Sequence, residues 1–161
     1  MSTLRKAALL AITLLPGLVQ GCARAQPPAA PPQFLPVSAR WCLESNRCIG
    51  LEVADTPQRQ AWGMQRRPPL PPLRGMWFPY PVPTPARFWM HLTPEPLDML
   101  FVRDGRVVQI EANAIPCPRL PCRSYGSGEA VDGVVELAGG QAAALGLHVG
   151  SPVRIEPVAP R

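Results

Sequence analysis

Acid–base, metal and redox chemistry would have to come from two histidines, five cysteines and eleven acidic residues in this 161-residue chain. His91, Glu95 and Asp98 lie in one short stretch. An imidazole that titrates near neutral pH beside two carboxyls is the raw material of a hydrolase, with one group as base and another as acid or positioner. Glycoside hydrolysis requires two carboxyls several ångströms apart, which Glu95 with Asp98 could supply. No nucleophile supports this reading: Ser124, Tyr125 and Ser127 follow a proline and cysteine loop with no elbow around them. Asp98 stands between Leu97 and Met99, where an unpaired carboxylate would be costly. It is therefore expected to take backbone N–H groups at the 94–96 corner or to meet Arg87. Trp77, Arg87, Trp89, His91 and Asp98 form the candidate ligand-binding set, with Tyr80 beside them, because flat rings offer stacking area and polar neighbours fix orientation. The competing use of those rings is as core.

The cysteines divide as one plus four. Cys42 with Cys48 and Cys117 with Cys122 are too unevenly spaced for a zinc knuckle and do not form the Cys-x-x-Cys that lowers a thiol pKa at a helix start. Two local disulfides of an oxidising compartment are expected. With His91 and His148 far apart, neither a metal nor a cofactor is expected. The fifth cysteine closes Val19-Gln20-Gly21-Cys22, after a charged start at Arg5 and Lys6 and an apolar run over residues 7–15. Residues 1–21 thus read as an export signal whose end resembles the lipobox of bacterial lipoproteins, with Cys22 lipidated. The apolar run is too short to span a bilayer. Ala23 occupies the place of an inner-membrane retention aspartate, so a periplasmic lipoprotein of the outer membrane is expected. The alternative is plain secretion with cleavage near Ala25.

These groups must be positioned by a small β domain. Residues 22–36 are rich in Pro, Ala and Gln and read as a flexible tether; residues 37–161 are one domain, the length suiting a single core. Alternation over residues 41–43 and 48–53 predicts a hairpin. Thr56 before Pro57 predicts a helix over residues 57–64, with Ala61, Trp62 and Met64 against the sheet. Eight of the 23 prolines fall in residues 68–85, which predicts a wrapping loop with one brief strand over residues 75–78. Residues 88–102 predict strand, corner and strand, with Thr93-Pro94-Glu95-Pro96 as the corner. Asp104-Gly105 then predicts a hairpin to residues 106–112. A strand over residues 133–137, a helical turn over residues 141–145 ended by Gly146, and a strand over residues 153–156 complete a mainly β sandwich or barrel. The net charge of +5 is carried by dispersed arginines, with Lys6 the one lysine. No dense basic face of the kind nucleic acid demands is present in the sequence.

Gly63-Met64-Gln65-Arg66, Gly75-Met76-Trp77-Phe78, Phe88-Trp89-Met90, Pro96-Leu97-Asp98-Met99, the Gly105 hairpin and Gly146-Leu147-His148-Val149-Gly150 together resemble the domain-of-unknown-function 192 (DUF192) family. The resemblance covers roughly residues 52–156 and implies a compact, often exported β domain and no established reaction. Where the family pattern reads Phe-Trp-Met-Lys-Asn-Thr, this chain has His91 and Leu92, so a ligand contact made by that pair in relatives would be altered. The expected function is a non-catalytic, membrane-tethered binding or accessory domain for a small molecule, a glycan or a protein. The alternative is an envelope hydrolase using Asp98, His91 and Glu95.

Overall fold

A computed structural model of the protein describes residues 32–158; the signal segment, Cys22 and most of the tether lie outside the described residues. The elements are β1 (Val37–Cys42), β2 (Cys48–Val53), α1 (Pro57–Trp62), β3 (Arg74–Pro85), β4 (Phe88–Trp89), β5 (Leu97–Arg103), β6 (Arg106–Ala114), β7 (Ser124–Tyr125), β8 (Ala130–Ala138), α2 (Gln141–Ala144) and β9 (Ile155–Pro157). Seven strands form one sheet in the order β6-β5-β8-β3-β2-β1-β9, and β4 pairs with β7 in a separate ribbon.

Side chains alternate across a strand, so the central strands can bury both faces only if nearly every residue is apolar. β5 meets that condition: from Leu97 to Val102 every residue is buried. Met99 and Phe101 join one core with Met76, Phe78, Met90, Val131 and Val134. Leu100 and Val102 join the other with Trp41, Ile49, Leu51, Val135 and Leu137. The first core is where the β4–β7 ribbon and the chain around Met64 and Leu70 pack. The second is enclosed by β1, β2 and the chain leading into β9 as the sheet curls. Gly133 is the point of closest approach on that side: a Cβ there would fall 2.2 Å from the Trp77 ring and 2.6 Å from the Phe78 carbonyl.

The expected β architecture is observed, but not as a closed barrel. Residues 105–107 reach residues 150–153 through three backbone hydrogen bonds and one isolated bridge, Arg106 to Pro152. The hydrogen-bonded ladder itself ends at β6 and β9. Both disulfides join their expected local partners, Cys42 with Cys48 and Cys117 with Cys122. The first links residues that already face each other in the β1–β2 register.

Three local expectations need correction. The proline-dense stretch holds a twelve-residue strand, not a brief one. Pro79 lies two residues after Trp77, whose carbonyl accepts the Ala54 N–H on the β2 side, so its missing donor falls on that edge of β3. The ladder to β2 on that side stops at Trp77, while β8 continues along the other edge with a bulge between Pro79 and Thr84. The helix ends at Trp62, because Gly63 adopts a left-handed φ of 43°; Thr56 caps it by accepting from the Arg59 N–H. Residues 33–36 are packed against the domain. Gln33 is buried and donates to the Arg59 and Gly63 carbonyls, and the Leu35 N–H reaches Glu52.

Candidate functional site

Glu136 lies in β8 as the one charged residue in the otherwise apolar run Val134-Val135-Glu136-Leu137. Its neighbours in register are Met76 of β3 and Met99 of β5, both fully buried on the first core's side. The strand thus aims a carboxyl into that core. Glu136 is 4% exposed, and its Oε2 has no hydrogen-bond partner among the described residues. Water solvates a carboxylate far better than this apolar surrounding, so the neutral form is favoured and burial pushes the Glu136 pKa from 4.5 up to about 8.

The carboxyl meets a cavity of about 290 Å³ between α1, the outer half of β3 and β4. Residues 60–65 of α1 and the turn after it line the cavity together with Phe78, Tyr80, Arg87, Phe88, Trp89 and Thr93. Phe88 is held edge-on to Phe78 with ring centres 5.0 Å apart. It packs edge-on to Phe101 as well, at 6.3 Å. The Tyr80 pKa is pushed up to about 12, first by burial and then by the Glu136 charge. Arg87 and Trp89 are exposed and stand at the solvent side, with Trp89 at 51%. The cavity therefore offers aromatic walls, a neutral acid that can donate a hydrogen bond, a phenol and a hydroxyl, with one cation at its rim.

Two of the five candidate ligand-binding residues, Arg87 and Trp89, line this cavity, and Tyr80 joins them. The other three do not. Trp77 is paired with Val135 and packs in the second core, because alternation sends it to the face opposite Met76, Phe78 and Tyr80. Asp98 lies on that same opposite face of β5 and is fully buried. Its Oδ1 accepts from the Asn113 and Gly140 N–H groups, at 2.8 and 3.0 Å, and its Oδ2 from the Ala142 N–H at 2.8 Å. It meets neither Arg87 nor the 94–96 corner; it fixes the end of β6 to the start of α2. His91 is half-buried, bridges to Cys117 and lies with its ring tilted 53° against Trp89 at 5.6 Å. Glu95 is exposed and lines a separate, smaller cavity with Pro96 and Asn113. Among the described residues the trio His91, Glu95 and Asp98 thus lines no common cavity, and both oxygens of Asp98 accept backbone N–H groups.

Glu136 is absent from the sequence-derived set. The signal for it was available, since a lone acid inside a central apolar strand is either paired or functional. Among the described residues no group of three or more His, Cys, Asp and Glu side chains converges as a metal site would require.

Residues 40–155 match the DUF192 family, described as Uncharacterized ACR. The chain belongs to the DUF192 family. Among solved structures, this DUF192 domain is similar to a protein of unknown function from Novosphingobium aromaticivorans DSM 12444, at 34% identity and a TM-score of 0.67, covering 81% of this chain and 94% of that one. It is also similar to a protein of Sinorhizobium meliloti 1021 provisionally described as a transcription regulator, at 31% identity and a TM-score of 0.65, covering 78% and 97%. No curated protein matches. The segments that carry the family resemblance supply much of the site: Gly63-Met64-Gln65, Phe78 and Phe88-Trp89 are cavity walls, and Asp98 is the lock behind it. The Lys-Asn position of the DUF192 pattern also gains a backbone reason. Leu92, where that pattern has Asn, adopts φ of 56°, a left-handed conformation that Asn tolerates better than Leu.

Proposed function

We propose that this DUF192 domain is an exported, membrane-tethered binding protein whose ligand occupies the Glu136 cavity. One observation carries the binding role: a buried acid with an unpartnered oxygen faces an aromatic-walled cavity. An unpaired buried polar group costs stability that an apolar residue at the same place would not, and such groups persist in native structures mainly where they do something. A non-catalytic role is favoured because the acid, base and nucleophile of a hydrolase are not gathered around that cavity. The tether follows from the sequence, where the lipobox-like end at Cys22 offers an acyl anchor. The two disulfides are in keeping with an oxidising compartment. Nucleic acid fits this surface poorly, since Arg40, Arg59 and Arg67 are paired with Glu156, Asp55 and Glu52 and the arginines are dispersed.

The test is an unbiased thermal-shift screen of envelope glycans, peptides and small metabolites on the wild type and on Ala61→Phe. Ala61 is an exposed helix residue that lines the cavity, so a ring there fills the mouth while leaving the fold intact. A ligand that stabilises the wild type and not the filled variant supports the reading. A ligand indifferent to the filling refutes the site. Labelling of the wild type but not Cys22→Ser by a fatty-acid analogue, with the label in the outer-membrane fraction, tests the anchor.

A further inference from the structure

Granted that the Glu136 cavity is a binding site, as proposed above, we infer that its ligand is a single uncharged saccharide ring, stacked at the Trp89 side with its hydroxyls turned to Glu136, Tyr80 and Thr93. The charges around the cavity exclude the alternatives in turn. Arg87 stands at the solvent side and Glu136 at the floor. A cationic ligand must pass a guanidinium of its own sign and then recruit the ionised form of an acid that burial keeps neutral. An anionic ligand finds its one cation, Arg87, at the exposed rim, where water screens the pair, and no positive charge at the floor. A neutral ring with hydroxyls meets neither cost, because a protonated carboxyl both donates and accepts a hydrogen bond, as do the phenol of Tyr80 and the hydroxyl of Thr93.

The remaining surface agrees with that chemistry. Phe88, Trp62 and Trp89, none of them fully buried, supply ring surface at the cavity suited to the apolar C–H face of a pyranose. Trp89 is the most accessible large ring of the set, half of its surface being open to solvent. Room also limits the ligand, since about 290 Å³ lies at the small end of the range for ligand cavities and takes one ring in preference to a chain of them.

The experiment titrates the purified protein, by calorimetry and tryptophan fluorescence, with glucose, galactose and N-acetylglucosamine as neutral rings, galacturonate as an acidic ring and choline as a cation. At least one neutral ring should bind in preference to both charged probes. Its affinity should fall by about tenfold in Trp89→Ala, a surface change that spares the fold, through loss of one stacking face. In Glu136→Leu, which removes both the donor and the acceptor at the floor, affinity should fall by about tenfold. Preference for choline, with binding abolished in Glu136→Gln, would overturn the inference in favour of a cation site. Preference for galacturonate, or no binding of any neutral ring, would overturn it as well. If the screen has by then found another ligand that Ala61→Phe excludes, the saccharide assignment fails while the binding site stands. If that ligand ignores Ala61→Phe, both fail.

Discussion

Replacing Asp98 by Asn should unfold the protein at markedly lower denaturant without touching the ligand cavity. The carboxyl receives two N–H groups on Oδ1, from Asn113 and Gly140, and one on Oδ2, from Ala142. An asparagine retains one carbonyl oxygen. With that oxygen in the Oδ1 place, its amide NH2 faces the Ala142 N–H, donor against donor, inside a fully buried site. The loss comprises one hydrogen bond to a charged group, about 1.5–3 kcal/mol, and one orphaned buried donor, about 1–3 kcal/mol, giving about 2.5–6 kcal/mol in all. Asp98→Ala, which strips all three bonds, should cost more. With a urea slope of about 2 kcal/mol per molar, the middle of the range for small proteins, the Asn variant's midpoint should fall by about 1–3 M. Equilibrium urea unfolding followed by tryptophan fluorescence reads this directly. Binding measured on the folded fraction should be unchanged, because Asp98 faces the core opposite the cavity. A loss below about 1 kcal/mol would refute the reasoning that these bonds hold α2 and the end of β6 together. So would intact stability with lost binding, which would return Asp98 to the site.

Glu136 should make stability fall with rising pH. The folded protein keeps its proton up to about 8, while the unfolded chain releases it near 4.5, so between those values the folded state binds more protons and loses ground as pH rises. Glu136→Gln has no such titration, and the stability gap between variant and wild type, from unfolding at pH 5 and pH 8, should widen in the variant's favour; a constant gap would count against the burial argument. Glu52 accepts a bidentate pair from Arg67 at 2.6 and 2.7 Å, with both side chains nearly buried. Glu52→Ala leaves that guanidinium unpaired and should cost about 3–5 kcal/mol by chemical denaturation; a loss near zero would mean that the pair is solvated in solution. Leu92→Asn relieves a left-handed leucine and should raise stability by about 0.5–1 kcal/mol, seen as an increased melting temperature; a decrease would show that the Leu92 side chain's packing outweighs its backbone strain.

The chain's own residues determined everything that depends on neighbours a few positions apart. Thr56-Pro57 set the helix start, Asp104-Gly105 the β5–β6 turn, the two short cysteine spacings the disulfides, and the alternation of apolar residues the strands, because capping, left-handed φ and loop closure act locally. Local signals also misled. The prolines of residues 79–85 read as a loop, and only the sheet showed that the ladder to β2 ends before them while β8 pairs on past a bulge. What tertiary structure alone decided is which residues share a cavity. Trp77 and Asp98 looked like partners of Trp89 along the chain, yet the faces of β3 and β5 on which they sit are turned to the second core. Glu136, distant in sequence from every candidate, was brought under Tyr80, Phe88 and Trp89 by the pairing of β8 between β3 and β5. A strand's alternation says that two faces exist; long-range register and the layer packed on each face decide which one becomes a site.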